Sequence, residues 1–120
     1  MNFCWCTITT DELEKSIAFY ADIIGLEQKS RFSPHTGIDI AFLQDEKGAE
    51  IELIQYANKP VVPEKSGISI GFEVDALEDT ISLVQSRGIA VEGPFITPSV
   101  KYIFIKDPNG VSIQLVEKIG

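Results

Sequence analysis

VKYIFIKDPNGVSIQLVE, residues 100–117, reads as a hairpin. An alternating apolar run leads into Asp107-Pro108-Asn109-Gly110, a tetrapeptide suited to a type I turn with glycine in the left-handed position. A second alternating run leads away. IDIAFLQDEKGAEIELIQ, residues 38–55, follows the same plan. Adding 62 carries Phe42, Asp45, Gly48, Ile51 and Leu53 onto Phe104, Asp107, Gly110, Ile113 and Leu115. Strands are expected over 38–44 and 49–56, and again over 100–106 and 111–117.

The repeat extends upstream of each hairpin. Residues 2–10, NFCWCTITT, are aromatic and β-branched and predict a strand. DELEKSIAFYADIIG, residues 11–25, predicts a helix with the stripe Leu13, Ile17, Tyr20, Ile24 and a stop at Gly25. Asp11 and Glu14 have the spacing of a capping box. In the second half, 67–74 predicts a strand and Asp75 to Ser86 a helix, with Asp75 and Glu78 at the capping spacing and Leu77, Ile81, Val84 as the stripe. Adding 64 carries Asp11, Leu13, Glu14 and Ile17 onto Asp75, Leu77, Glu78 and Ile81. Short strands over 26–32 and 89–92 complete each half. Nine ordered matches point to a duplicated βαβββ unit. The expected organisation is one domain over 1–120: module one 1–57, a Pro-containing linker 58–66 and module two 67–120.

Composition excludes several functions. The chain has 120 residues and a formal charge of −8, with 18 acids against 10 bases. Residues 1–60 carry 10 acids and 5 bases, and 61–120 carry 8 and 5, so neither half offers phosphate a basic face. Nucleic acid is not an expected partner. No apolar run reaches the roughly 18–20 residues of a membrane span, and no basic-then-apolar leader opens the chain, so a cytoplasmic protein is expected. Cys4 and Cys6 sit two apart on a predicted strand, about 7 Å from each other, awkward for a mutual disulfide. Reduced, buried thiols are expected.

Strand parity divides the side chains between two faces. Ile103, Ile105, Ile113 and Leu115 form an aliphatic set that must pack on the helix. The opposite face then shows Tyr102, Phe104, Ser112, Gln114 and Val116. By the repeat, module one shows Ile40, Phe42, Glu50, Glu52 and Ile54. On the leading strands Ile68, Ile70, Phe72 and Val74 point to the core, and Ser69, Gly71 and Glu73 away from it. Trp5, Thr7 and Thr9 likewise point away, while Cys4, Cys6 and Ile8 point inward. Trp5, Phe42, Tyr102 and Phe104 beside Glu52, Gln114, Ser69 and Thr7 make an apolar patch that needs a cover. A partner subunit or the other half of the chain would serve; a ligand pocket is favoured, since pockets are aromatic with few polar groups.

Asp11-x-Leu13-x-x-Ser16-Ile17-x-Phe19-Tyr20, with Ile24-Gly25-Leu26-Glu27 following, resembles the glyoxalase I/bleomycin-resistance/extradiol-dioxygenase family, the vicinal oxygen chelate superfamily. Asp107-Pro108-Asn109-Gly110-x-x-Ile113-x-Leu115-Val116-Glu117 is similar to its last hairpin. The resemblance spans essentially the whole chain. It implies an α+β fold: two tandem βαβββ modules forming a cupped, mostly antiparallel sheet with helices on the outer face. It also implies a homodimer. Members include lyases, isomerases, dioxygenases and proteins that only bind antibiotics, so fold alone does not name the activity.

Metal-dependent members place ligands on the first and last strands of each unit, usually His and Glu. Those positions here hold Trp5, Glu52, Ser69 and Gln114. Glu52 is a good divalent-metal donor; Gln114 offers a neutral carbonyl, Ser69 a weak hydroxyl and Trp5 nothing. No metal or other cofactor is expected, a divalent metal being the alternative. His35 matches none of the four and reads as a solvated loop residue, with a ligand or proton shuttle as the lesser reading. Glu52 is the candidate catalytic residue. It reads either as an acid hydrogen-bonded to Gln114 or Ser69, or as a base or anchor for a cationic ligand stacked on Trp5 or Tyr102. The candidate ligand-binding set is Trp5, Thr7, Phe42, Glu52, Ser69, Tyr102, Phe104 and Gln114. The expected function is metal-independent binding of a planar or cationic small molecule. The alternatives are a metal-dependent glyoxalase- or dioxygenase-like enzyme using Glu52, and a regulatory or interaction module.

Overall fold

A computed structural model describes residues 1–58 and 67–119. The chain divides into two compact units, Met1–Pro63 and Glu64–Gly120. In the first, β1 (Trp5–Thr9) is followed by α1 (Leu13–Ala18), a π-helical turn (Phe19–Ile23), β2 (Glu27–His35), β3 (Ile38–Gln44) and β4 (Glu50–Tyr56). In the second, β5 (Ser69–Glu73), α2 (Leu77–Ser86), β6 (Glu92–Ile96), β7 (Val100–Lys106) and β8 (Ser112–Lys118) repeat that order. Each unit is therefore βαβββ. The expected linker lies, from residue 59 onward, outside the described residues.

The sheets run β1-β4-β3-β2 and β5-β8-β7-β6. In each, the first and last strands of the unit pair in parallel, and the remaining pairs are antiparallel. A parallel pair needs a long crossover, which the helix and two intervening strands supply. The registers match: Thr7 lies against Glu52 and Phe42 against Glu52 in one unit, Gly71 against Gln114 and Phe104 against Gln114 in the other. The expected hairpin turns form alike. Asp45 Oδ1 accepts the Lys47 and Ala49 N–H groups, and Asp107 Oδ1 accepts those of Asn109 and Val111. Gly48 and Gly110 take φ of 90° and 85°, the left-handed region a Cβ disfavours.

The aliphatic set expected to form the core does so: Ile103, Ile105, Ile113 and Leu115 are buried, as are Ala41, Leu43, Ile51 and Leu53 in the first unit. α1 packs on β3 and β4, and α2 on β8. Leu13, Ile17 and Tyr20 supply the first helical stripe, and Leu77 and Val84 the second. Three inward assignments fail. Cys4 is exposed and precedes β1, Cys6 is half-buried on this edge strand, and Ile68 is exposed ahead of β5. The leading strands are shorter than their apolar composition suggests, so their first residues lie outside the ladder.

The helices begin differently from the capping-box expectation. Neither takes a hydrogen bond from its N-cap side chain, Glu12 or Ala76. The donors are met from the last strand of each unit. Gln55 Oε1 accepts the Leu13 N–H at 2.9 Å while its Nε2 donates to the Asp11 carbonyl, and Glu117 Oε1 accepts the Leu77 N–H at 2.7 Å. Thr10 Oγ1 accepts the Glu12 N–H and shares a buried hydrogen bond of 2.9 Å with Ser16. The first helix also tightens no further than Ala18. Ile24 N–H reaches back to the Phe19 carbonyl, the five-residue span of a π turn, before Gly25 ends it.

β2 and β6 also depart from expectation. β2 continues through Pro34 to His35, and β6 covers Glu92–Ile96 through a cis Gly93-Pro94 bond, past the expected end at 92. Both are edge strands with an irregular register beside the proline, where a missing N–H costs no ladder bond. Among the described residues no helix is long and apolar enough to cross a membrane. Because the caps are tertiary, Gln55→Ala and Glu117→Ala are each expected to lose about 1–2 kcal/mol of unfolding free energy. Asp11→Ala and Asp75→Ala should stay within about 0.5 kcal/mol. Urea titrations of the four variants check the difference.

Candidate functional site

The face of the first sheet turned from α1 is built row by row from the ladder. The central row holds Thr7 on β1, Glu52 on β4 and Phe42 on β3. Thr7 Oγ1 donates to Glu52 Oε1 at 2.7 Å, so the half-buried carboxylate has a neutral partner within its own unit. Trp5 stands opposite Glu50 in the next row and reaches across β4 to Phe42, with ring centroids 5.1 Å apart at 84°. That edge-to-face geometry suits two aromatic quadrupoles. On the other side Phe32 lies nearly parallel to Phe42, at 6.3 Å and 5°. Trp5 and Phe32 remain 44% and 46% exposed, so the two ends of this aromatic row are open while its centre is half-buried.

The equivalent face of the second sheet carries Phe95, Tyr102 and Phe104. Tyr102 lies 5.4 Å from Phe95 and 5.8 Å from Phe104, the latter nearly perpendicular. Gln114, half-buried, stands between Gly71 and Phe104 in its row. Gly71 takes the place of Thr7, so the hydroxyl that holds Glu52 has no counterpart. A Cβ there would lie 3.6 Å from Gln114 Oε1, an ordinary contact. Ser69 is exposed on β5 opposite Ser112, whose hydroxyl accepts from Lys106 Nζ at 3.3 Å.

The structure thus brings Trp5, Thr7, Phe42 and Glu52 together on one face, and Ser69, Tyr102, Phe104 and Gln114 onto the matching face of the other unit. Phe32 and Phe95 were missed by the parity argument. They occupy matching ladder positions, opposite Ile40 and Tyr102. The aromatic at the same place after each helix was the available signal, hidden because the expected β6 stopped short of Phe95. His35 pairs with Ile38, four residues along β3 from Phe42, which is about 13 Å of strand. It is exposed at the Thr36-Gly37 turn, consistent with a loop residue. Of the four positions where metal-dependent relatives carry ligands, Glu52 is the one anionic donor. Among the described residues no three His, Cys, Asp or Glu side chains are grouped to hold a metal ion.

Residues 3–115 match the family described as the glyoxalase/bleomycin resistance protein/dioxygenase superfamily. The chain belongs to this superfamily. A lactoylglutathione lyase of Haemophilus influenzae is 32% identical over 127 aligned positions, covering 98% of this chain and 93% of that protein. A glyoxalase family protein from Bacillus cereus superposes with a TM-score of 0.86 at 19% identity, covering 100% of this chain and 95% of that one. An antibiotic binding protein from Streptomyces sp. CB03234 superposes with a TM-score of 0.77 at 23% identity, covering 99% and 97%. The superfamily fold anticipated from the two motifs is therefore the fold of this chain.

Trp5 is the only tryptophan, so the aromatic row can be followed by its emission. Phe42→Leu removes the edge-to-face partner, a contact worth about 0.5–1.5 kcal/mol. Trp5 emission is expected to move to longer wavelength in this variant, with unfolding otherwise cooperative. An unchanged spectrum would mean that the two rings do not pack in solution.

Proposed function

We propose that this superfamily member is a metal-independent binding protein for a planar or cationic small molecule. The observation that carries the reading is the Glu52 carboxylate, held by Thr7 Oγ1 at 2.7 Å beside the Trp5–Phe42 pair. An anion set among aromatic faces attracts a cation twice, by direct charge and through the ring quadrupoles. Binding of this kind needs no nucleophile, proton donor or metal. The donor set at the family's ligand positions supports the same reading. One carboxylate, one amide carbonyl, one hydroxyl and an indole fit a divalent metal poorly. The antibiotic binding protein of the same fold is a precedent for binding without turnover.

A second reading is supported by the 32% identity to a lactoylglutathione lyase: a metal-dependent lyase or isomerase with Glu52 as ligand or base. A divalent metal in such a site would polarise substrate oxygens. The protein's own part would be a proton carried by the Glu52 carboxylate.

Titration with planar cations, followed by Trp5 emission, tests the first reading. Saturable quenching is expected, with Glu52→Gln weakening binding about tenfold. No response at high micromolar concentration would count against it. Elemental analysis of the purified protein separates the readings. A stoichiometric divalent metal that disappears in Glu52→Ala would replace the first with the second.

A further inference from the structure

Two acids point from β4 onto the face that carries Trp5 and Phe42, and they are not equivalent. Glu50 is neutralised: Lys29 Nζ donates to its Oε1 at 2.9 Å. Glu52 has the Thr7 hydroxyl, which orients the carboxylate without cancelling its charge. The other described cations of the unit are committed elsewhere. Arg31 pairs with Glu14 on the helix side, Lys15 pairs with Glu12 on α1, and Lys47 lies in the hairpin turn. Among the described residues this face therefore presents one uncompensated negative charge. The second unit's face replaces both acids with the neutral Ser112 and Gln114.

The aromatic row sets the shape to match. Trp5, Phe42 and Phe32 come from β1, β3 and β2, so the row crosses the sheet rather than following one strand. Glu52 lies beside its middle member, opposite Phe42. Phe32 extends the row away from the Lys29–Glu50 pair, keeps 46% of its surface exposed, and is nearly coplanar in orientation with Phe42. A single small ring over Glu52 would meet Phe42 and leave Phe32 uncovered. A ligand of two or three fused rings would cover both.

We infer that the first unit selects an extended fused-ring arene bearing one positive charge, with Phe32 the residue that reads ring extent and the Lys29–Glu50 pair the device that restricts the charge to one. This rests on the proposed binding function and adds its selectivity. Phe32 acts by stacking on the far ring. Lys29 acts by occupying the second carboxylate, so a dication finds one anion where it needs two.

The test uses the full chain, Trp5 emission and four probes: proflavinium (three fused rings, one charge), acridone (three rings, neutral), benzamidinium (one ring, one charge) and paraquat (two charges). Wild type is expected to prefer proflavinium to each of the other three. Phe32→Leu, at an exposed position, should weaken proflavinium about fivefold and leave benzamidinium within about twofold. Lys29→Met removes a surface pair of small stabilising value and exposes Glu50, so paraquat should gain severalfold relative to benzamidinium. Equal losses for proflavinium and benzamidinium in Phe32→Leu, or none for proflavinium, would overturn the role of Phe32. Paraquat binding wild type as tightly as proflavinium, or gaining nothing in Lys29→Met, would overturn the charge rule. In both cases the proposed function stands if Glu52→Gln still weakens the monocations. Failure of every cation to bind, or indifference to Glu52→Gln, removes the proposed function itself.

Discussion

The alternation of side chains along the last strand of each unit is the constraint on which both core and site depend. On β4, Ile51 and Leu53 pack toward the helix and Gln55 caps it, while Glu50 and Glu52 face the other way. On β8, Ile113, Leu115 and Glu117 do the former, and Ser112 and Gln114 the latter. Each of these strands lies inside its sheet, paired on both sides, so a one-residue slip would break two ladders and reverse the faces together. The register that buries the aliphatic residues is thus the same register that presents Glu52 to Phe42 and Thr7.

The two copies have kept one face and changed the other. Inward residues correspond closely because a close-packed interior penalises a change of even one methylene. Both helices also receive their first N–H from the same β-strand position, Gln55 and Glu117, though one cap is neutral and the other an acid paired with Lys101 at 3.5 Å. On the opposite face Thr7 becomes Gly71, Glu50 becomes Ser112 and Glu52 becomes Gln114. Packing does not hold those positions, so they are free to carry chemistry. The first unit holds charge and the second does not. Superfamily membership leaves that difference open, since the same fold serves a lyase and an antibiotic binding protein.

Repeat, strand parity and turn type were legible in the chain because each rests on local spacing. The period of two assigned Ile103, Ile105, Ile113 and Leu115 inward and Trp5, Phe42 and Glu52 outward without any knowledge of the fold. Asp45–Gly48 and Asp107–Gly110 declared their turns through residues that few other backbones require. Where local spacing misled, a tertiary alternative was available. Asp11 and Asp75 have capping-box spacing, yet Gln55 and Glu117 reach the helix donors first. Pro34 and Pro94 read as strand breakers, yet at a sheet edge no ladder bond is lost.

The linear pattern was enough to establish two βαβββ copies, their core and the acid on the outward face, because periodicity and turn chemistry act between near neighbours. It could not pair Thr7 with Glu52, Lys29 with Glu50 or Phe32 with Phe42, since those contacts join strands separated by loops and a helix. Sheet order brings them together. The single uncompensated charge on the first unit's face is a consequence of that order, and no count of acids and bases along the chain contains it.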